Sequence, residues 1–193
     1  MGTDTIYSPL GSDISTGEIQ AGAVTVAKLG SGISKLIGET TIAGAAVTTM
    51  QVASLDLATH KRYLVVGRFN NADGLTKNFG LNFNGDTTAT NYYCERISAA
   101  ATTIGTGNNN EARLWPTITT GADVNFALIV ELDVTGRARA NILSSSCYAT
   151  TALAFKGGAF YWITAANVTS IEIVGETANS IAIGSRLAVY ALG

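Results

Sequence analysis

Apolar and polar positions along this chain alternate every two residues far more often than they recur at helical spacing. The clearest run is Val124-Asn-Phe126-Ala-Leu128-Ile-Val130-Glu-Leu132-Asp-Val134. Val124, Phe126, Leu128, Val130, Leu132 and Val134 share one side, and Asn125, Glu131 and Asp133 the other. Successive side chains on a strand point to opposite faces, so this spacing predicts a half-buried strand. Thr135-Gly136 then reads as a tight turn into Arg137-Ala-Arg139-Ala-Asn141. The same reasoning predicts strands at 61–69, 77–84, 91–98, 111–118, 158–164, 168–174 and 185–191. Turn-forming clusters separate them: Asn71-Ala-Asp73-Gly74, Asn84-Gly85-Asp86, Gly107-Asn-Asn-Asn110, Gly121 and Gly157-Gly158. No segment carries a sustained helical stripe, although residues 98–104 (Ser-Ala-Ala-Ala-Thr-Thr-Ile) read as a short helical turn. Many short strands without intervening helices imply an all-β fold, an antiparallel β-sandwich, with jelly-roll the favoured strand order.

Residues 1–40 have a different texture. Ile14, Ile19, Val24, Leu29 and Ile33 return among glycines and small residues, and no aromatic follows Tyr7. Such a stretch has too little bulk to bury a core alone, so ordering its backbone needs a partner surface. Two domains are therefore expected: an extended arm over 1–40, serving attachment or oligomerisation, and a sandwich over 41–193. A flexible linker is the competing reading of the arm.

Composition sharpens the picture. The chain is 47% hydrophobic but only 13% charged, where a soluble domain usually carries about 25% charged residues. So little charge leaves less polar surface than a monomer normally shows, which points to subunit contacts. Net charge is -2, with no basic cluster to mark a nucleic-acid footprint. The N-terminal residues lack the basic start and apolar run of a secretory leader, and no stretch of about 18 apolar residues would span a bilayer. Assembly in a cytoplasm is the resulting expectation.

Candidate chemistry is sparse. His60, the one histidine, and the distant Cys94 and Cys147 cannot build a zinc site alone. The two cysteines are read either as small buried thiols or as a pair bridged within or between subunits. His60 sits in a predicted turn, and no motif for a nucleophile, a phosphate loop or a metalloprotease occurs. Asn84-Gly85-Asp86 reads as a hairpin turn, with a calcium site through Asp86 as the alternative. Asn167-Val-Thr169 matches a glycosylation acceptor by accident, because no leader precedes it. Glu95 and Glu111 are the carboxylates a glycosidase reading would use, but nothing in the sequence brings them together. Trp115, Tyr93 and Trp162 are the aromatics that could stack on a sugar ring; core and interface packing is the competing reading. No catalytic residue, metal or cofactor is assigned.

Three stretches carry a resemblance. Gly22-Ala-Val-Thr-Val-Ala-Lys28-Leu29 resembles the short repeats of phage fibre shafts. Gly80-Leu-Asn-Phe-Asn84-Gly85-Asp86, followed by Asn91-Tyr92-Tyr93, is similar to an element common in small phage structural proteins. Val168-Thr-Ser-Ile171-Glu-Ile173 and Ile183-Gly184-Ser185-Arg186-Leu-Ala-Val-Tyr190 look like the closing strands of their β-sandwich domains, although Ala191-Leu192-Gly193 replaces a Tyr-Gly ending. In that order the stretches resemble tailed-bacteriophage appendage, fibre or decoration proteins. The resemblance implies a non-enzymatic virion component, homotrimeric, attached through its N-terminal arm to capsid, portal, collar or tail proteins. It also implies localisation in the virion after assembly in the host cytoplasm. The alternative it leaves is a host glycan-binding module of a tail fibre.

Overall fold

The structure, a computed structural model, describes residues 34–100, 103–109, 114–149 and 152–192. The chain divides into two compact units, 1–33 and 34–193. All the described residues belong to the second, and Ile14, Ile19, Val24, Leu29 and Ile33 lie outside them.

The second unit is an all-β sandwich of antiparallel strands. In chain order these are β1 (Lys35–Thr41), β2 (Thr49–Val52), β3 (Arg62–Asn70), β4 (Lys77–Phe83), β5 (Tyr92–Ala100) and β6 (Thr103–Asn109). They continue as β7 (Trp115–Ile118), β8 (Asp123–Leu132), β9 (Arg137–Ala149), β10 (Ala152–Ala165), β11 (Ile171–Gly175) and β12 (Arg186–Ala191). One sheet runs β1-β12-β3-β8-β9-β10-β5-β6, and the smaller runs β2-β11-β4-β7. A four-residue helix, α1 (Leu57–His60), precedes β3 and is capped by the Asp56 carboxylate, which accepts from the Thr59 amide.

The two sheets close over one apolar cluster. Tyr63, Val65 and Phe69 of β3 and Val124, Phe126, Leu128 and Val130 of β8 face Phe79, Leu81 and Phe83 of β4 and Ile171 and Ile173 of β11. Aromatic rings fill two regions of it. Phe69, Phe79, Trp115 and Phe126 form one group, and Phe83, Tyr92, Phe160 and Trp162 the other. Gly67 sits opposite Phe126 in the β3–β8 register, and a Cβ there would come within 2.7 Å of the ring. Only glycine leaves the ring room to lie across β3.

The turns expected at Gly107-Asn-Asn-Asn110 and Gly157-Gly158 are not turns among the described residues, since 107–109 belong to β6 and 157–158 to β10, and four further expectations need correction or refinement. The sheet begins at Lys35, since β1 pairs with β12 from Lys35↔Ala191 to Thr41↔Arg186; residues 35–40, read above as arm, form an edge strand. Residues 98–100 and 103–104 are not helical but belong to β5 and β6, which pair down to Ala100↔Thr103. Alanine's helix preference is overridden there by cross-strand pairing. β8 ends at Leu132, and Val134 is fully exposed in the β8–β9 turn. The Asp133 carboxylate takes the amides of Thr135 and Arg137, which fixes that turn two residues early. Finally, Asn84-Gly85 does form a tight turn, with both residues at positive φ and Asp86 N–H donating to the Phe83 carbonyl. It joins strands of different sheets rather than a hairpin, because β4 lies in the small sheet and β5 in the large one.

Candidate functional site

The outer face of the large sheet is the surface with the most distinctive chemistry. Register places its outward residues in rows that cross the strands. One row runs Tyr190, Leu64, Ile129, with Leu36 of β1 opposite Tyr190. The next runs Ala188, Val66, Ala127. On the far strands Leu143, Ile97 and Tyr93 stand on the same face. Leu36, Tyr93, Ile97 and Leu143 are 47%, 49%, 52% and 59% exposed. Leu64, Val66, Ala127, Ile129 and Tyr190 are half-buried. Across β1, β12, β3 and β8 the middle of this face is therefore aliphatic and aromatic, built from Val, Ile, Leu and Tyr that suit a pleated surface.

On β12, β3 and β8 the charges lie toward the ends of the strands, while the Leu64–Ile129 row continues on the far strands through Asn141 and Ala159 to Glu95. At one end Glu131 of β8 is held between Arg62 of β3, at 3.3 Å, and Arg139 of β9, at 2.7 Å. The Arg139 guanidinium beside it keeps the Glu131 carboxyl below its ordinary range. At the other end Arg186 of β12 donates to Glu39 of β1 at 2.6 Å, and this bond lowers the Glu39 carboxyl likewise. Arg68 of β3 stands directly opposite Arg186 in the register. Here the sheet is hollowed into an open cleft of about 680 Å³, lined by Val66, Arg68, Asn125, Ser146, Phe155 and Arg186, among others.

The aromatics proposed for sugar stacking are not together. Trp115 is fully buried and its indole N–H donates to Ser145 Oγ at 3.0 Å. Trp162 is 2% exposed and donates to Asp86 Oδ2 at 2.8 Å. Neither presents a ring face that a sugar can reach. Tyr93 alone is on the surface. Within the Phe160-Tyr161-Trp162 run, Phe160 and Trp162 point inward while Tyr161 points out and donates to Asp133 Oδ2 at 2.7 Å.

Asp86 serves as a structural anchor. Its Oδ2 accepts from Trp162 and Asn91 Nδ2, its Oδ1 from the Thr88 amide, and its carbonyl from the Tyr92 hydroxyl. Burial pushes its carboxyl up, but these hydrogen bonds outweigh burial and hold it below the usual value. The oxygens that a calcium ion would need face N–H donors, which a cation would repel. No group of three His, Cys, Asp or Glu side chains comes together among the described residues. Glu95 lies exposed on the outer face of the large sheet, and Glu111 lies outside the described residues. His60 ends α1 with its ring 5.7 Å from that of Tyr63. No helix among the described residues is long and apolar enough to cross a membrane.

Cys94 and Cys147 are both buried. They flank β10 at different heights, Cys94 opposite Phe160 and Cys147 opposite Ala154. Six residues of strand separate those partners, or about 20 Å at roughly 3.3 Å per residue. A disulfide needs its Cα atoms within about 7 Å, so the register forbids a bridge within one chain.

Comparison with protein-family models, with curated proteins and with solved structures returned no match for this chain.

Proposed function

We propose that the chain is a non-enzymatic structural subunit of a bacteriophage virion, a fibre, spike, collar or capsid decoration protein. In this reading it assembles as a homotrimer through the outer face of its large sheet and attaches to other virion proteins through residues 1–33. The observation that carries the reading is the exposed apolar middle of that face, with Leu36, Tyr93, Ile97 and Leu143 each about half exposed or more. Eight strands about 4.8 Å apart and four rows about 6.7 Å apart give a face of roughly 700 Å². That approaches the roughly 800 Å² per partner of a stable interface. An apolar centre with charges at its ends is how such interfaces are built. A second copy of the chain is the occupant that fits, because the protein as a whole is also poor in charge, at 13%.

The order of the strands favours jelly-roll topology within this reading. Most connections pass between the two sheets, including β3 to β4, β4 to β5, β10 to β11 and β11 to β12, as Greek-key architectures require. The virion assignment itself rests on the sequence resemblance. Immunogold labelling of purified particles from lysed cells that carry this gene tests it. The expected result is gold at one defined position on each particle. Label confined to the soluble fraction would overturn the assignment.

A further inference from the structure

We propose that the cleft at the arginine end of the large sheet binds an acidic pyranose, a sugar ring bearing a carboxylate, within an oligosaccharide. The inference concerns ligand chemistry alone and stands whether or not the chain belongs to a virion.

The starting point is an electrostatic oddity. Arg186 and Arg68 are register partners on adjacent strands, and such partners have Cβ atoms about 5 Å apart. Like charges in that position repel unless an anion lies between them. Glu39 satisfies Arg186 through one N–H. Arg68 has no ion-pair partner among the described residues, and it is exposed at the cleft. Asp123, the other acid nearby, is hydrogen-bonded to the Asn70 amide. A guanidinium presents its N–H groups in a planar fork that matches a carboxylate in two parallel bonds. Arg68, backed by the spare N–H groups of Arg186, is therefore a seat for one carboxylate.

The rest of the cleft is shaped for a chain of sugar rings rather than for a lone anion. Along one row the register runs Arg186, Arg68, Asn125, Ser146, Phe155, across five adjacent strands. Four strand spacings of about 4.8 Å make this row about 19 Å long. Beyond the arginines, Asn125 offers an amide and Ser146 a hydroxyl, both suited to ring hydroxyls. Phe155, 50% exposed, closes the row with an aromatic face, against which the apolar face of a pyranose can pack. The arginine row lies at the end of the strands, one row beyond Val66, which lines both the cleft and the apolar middle of the sheet. An open cleft of about 680 Å³ with a few convergent polar groups has the proportions of a binding site.

The test is a binding titration of the full chain with a set of oligosaccharides: trigalacturonate, a sialylated trisaccharide, and the methyl ester of each as its neutral counterpart. At least one acid is expected to bind, and its ester to bind at least tenfold more weakly. Arg68→Ala is expected to lose the same factor for the acid and nothing for the ester, while Arg68→Lys recovers part of it. Phe155→Ala is expected to weaken acid and ester alike. Arg68 is exposed, so its variants should melt as the parent does. Failure of both acids to bind, equal binding of acid and ester, or unchanged acid binding in Arg68→Ala would each overturn the proposal.

Discussion

The indole nitrogen of Trp162 donates a 2.8 Å hydrogen bond to the carboxylate of Asp86. This one contact ties β10 of the large sheet to the turn that ends β4 of the small sheet. Asp86 also gathers the Asn91 amide and the Thr88 N–H, so the passage of the chain between sheets is fixed by a single carboxylate.

Replacing Asp86 by alanine should therefore destabilise the fold out of proportion to its partly exposed position. The buried indole N–H loses its acceptor and three hydrogen bonds vanish, at a cost of about 2–3 kcal/mol. Asp86→Asn, which keeps an acceptor oxygen, should cost about half as much. Urea denaturation of the two variants and the parent checks this; equal midpoints for all three would remove Asp86 from its anchoring role.

The acidic groups give a second expectation. Hydrogen bonds from Tyr161, Thr135 and the Arg137 amide hold the Asp133 carboxyl far below its ordinary value. Hydrogen bonds from Thr59 lower the Asp56 carboxyl, and one from Thr177 lowers that of Asp73. A carboxyl whose folded pKa lies below its unfolded one binds more protons when unfolded. Falling pH then favours unfolding, and the stability these groups contribute is present above about pH 4 and lost below it. Melting temperature should stay level from pH 7 to 5 and drop steeply between pH 4 and 2.5, and Asp133→Asn should make the drop shallower. A melting temperature that holds or rises in that range would contradict the assignment of these bonds.

Both thiols should be reduced and protected. Alkylation without reductant should modify neither Cys94 nor Cys147 in the native protein, and both once denaturant is added. Mass spectrometry reads the result directly. A pair that resists alkylation in denaturant would mean disulfides between subunits, since the strand register excludes one within the chain.

The edge strand β1 can be tested by truncation. A chain beginning at Ser34 keeps β1 and should melt cooperatively, close to the parent temperature. One beginning at Thr40 loses the pairing of Lys35–Glu39 with β12 and removes Ile37 from its packing against the core. It also exposes the bare edge of β12, a template for aggregation. The shorter chain should melt several degrees lower and be less soluble. Matching melts for the two truncations would show that β1 adds nothing to the sheet.

Much of this sandwich was legible in the sequence because burial and strand period coincide. Val124, Phe126, Leu128 and Val130 alternate with outward residues, and all four face the core. What failed was local. Val134 continues the alternation on paper, but the Asp133 carboxylate captures the next amides and turns the chain. Trp115 and Trp162 looked available because an aromatic in a strand pattern gives no sign of which sheet covers it. The arginine cleft was invisible for a different reason. Arg68 and Arg186 lie more than half the chain apart, and only the β3–β12 register makes them neighbours. Pairings of that kind are set by the packing of whole sheets, not by any spacing along the sequence.

In the proposed homotrimer this sandwich packs on copies of itself through the outer face of its large sheet. Sedimentation equilibrium of the full chain at micromolar concentration, beside an Ile97→Glu, Leu143→Glu double variant, tests it most directly. The parent should sediment as three copies of the 19.9 kDa chain, and the double variant as a folded monomer. A parent that sediments as a stable, cooperatively melting monomer would contradict the claim.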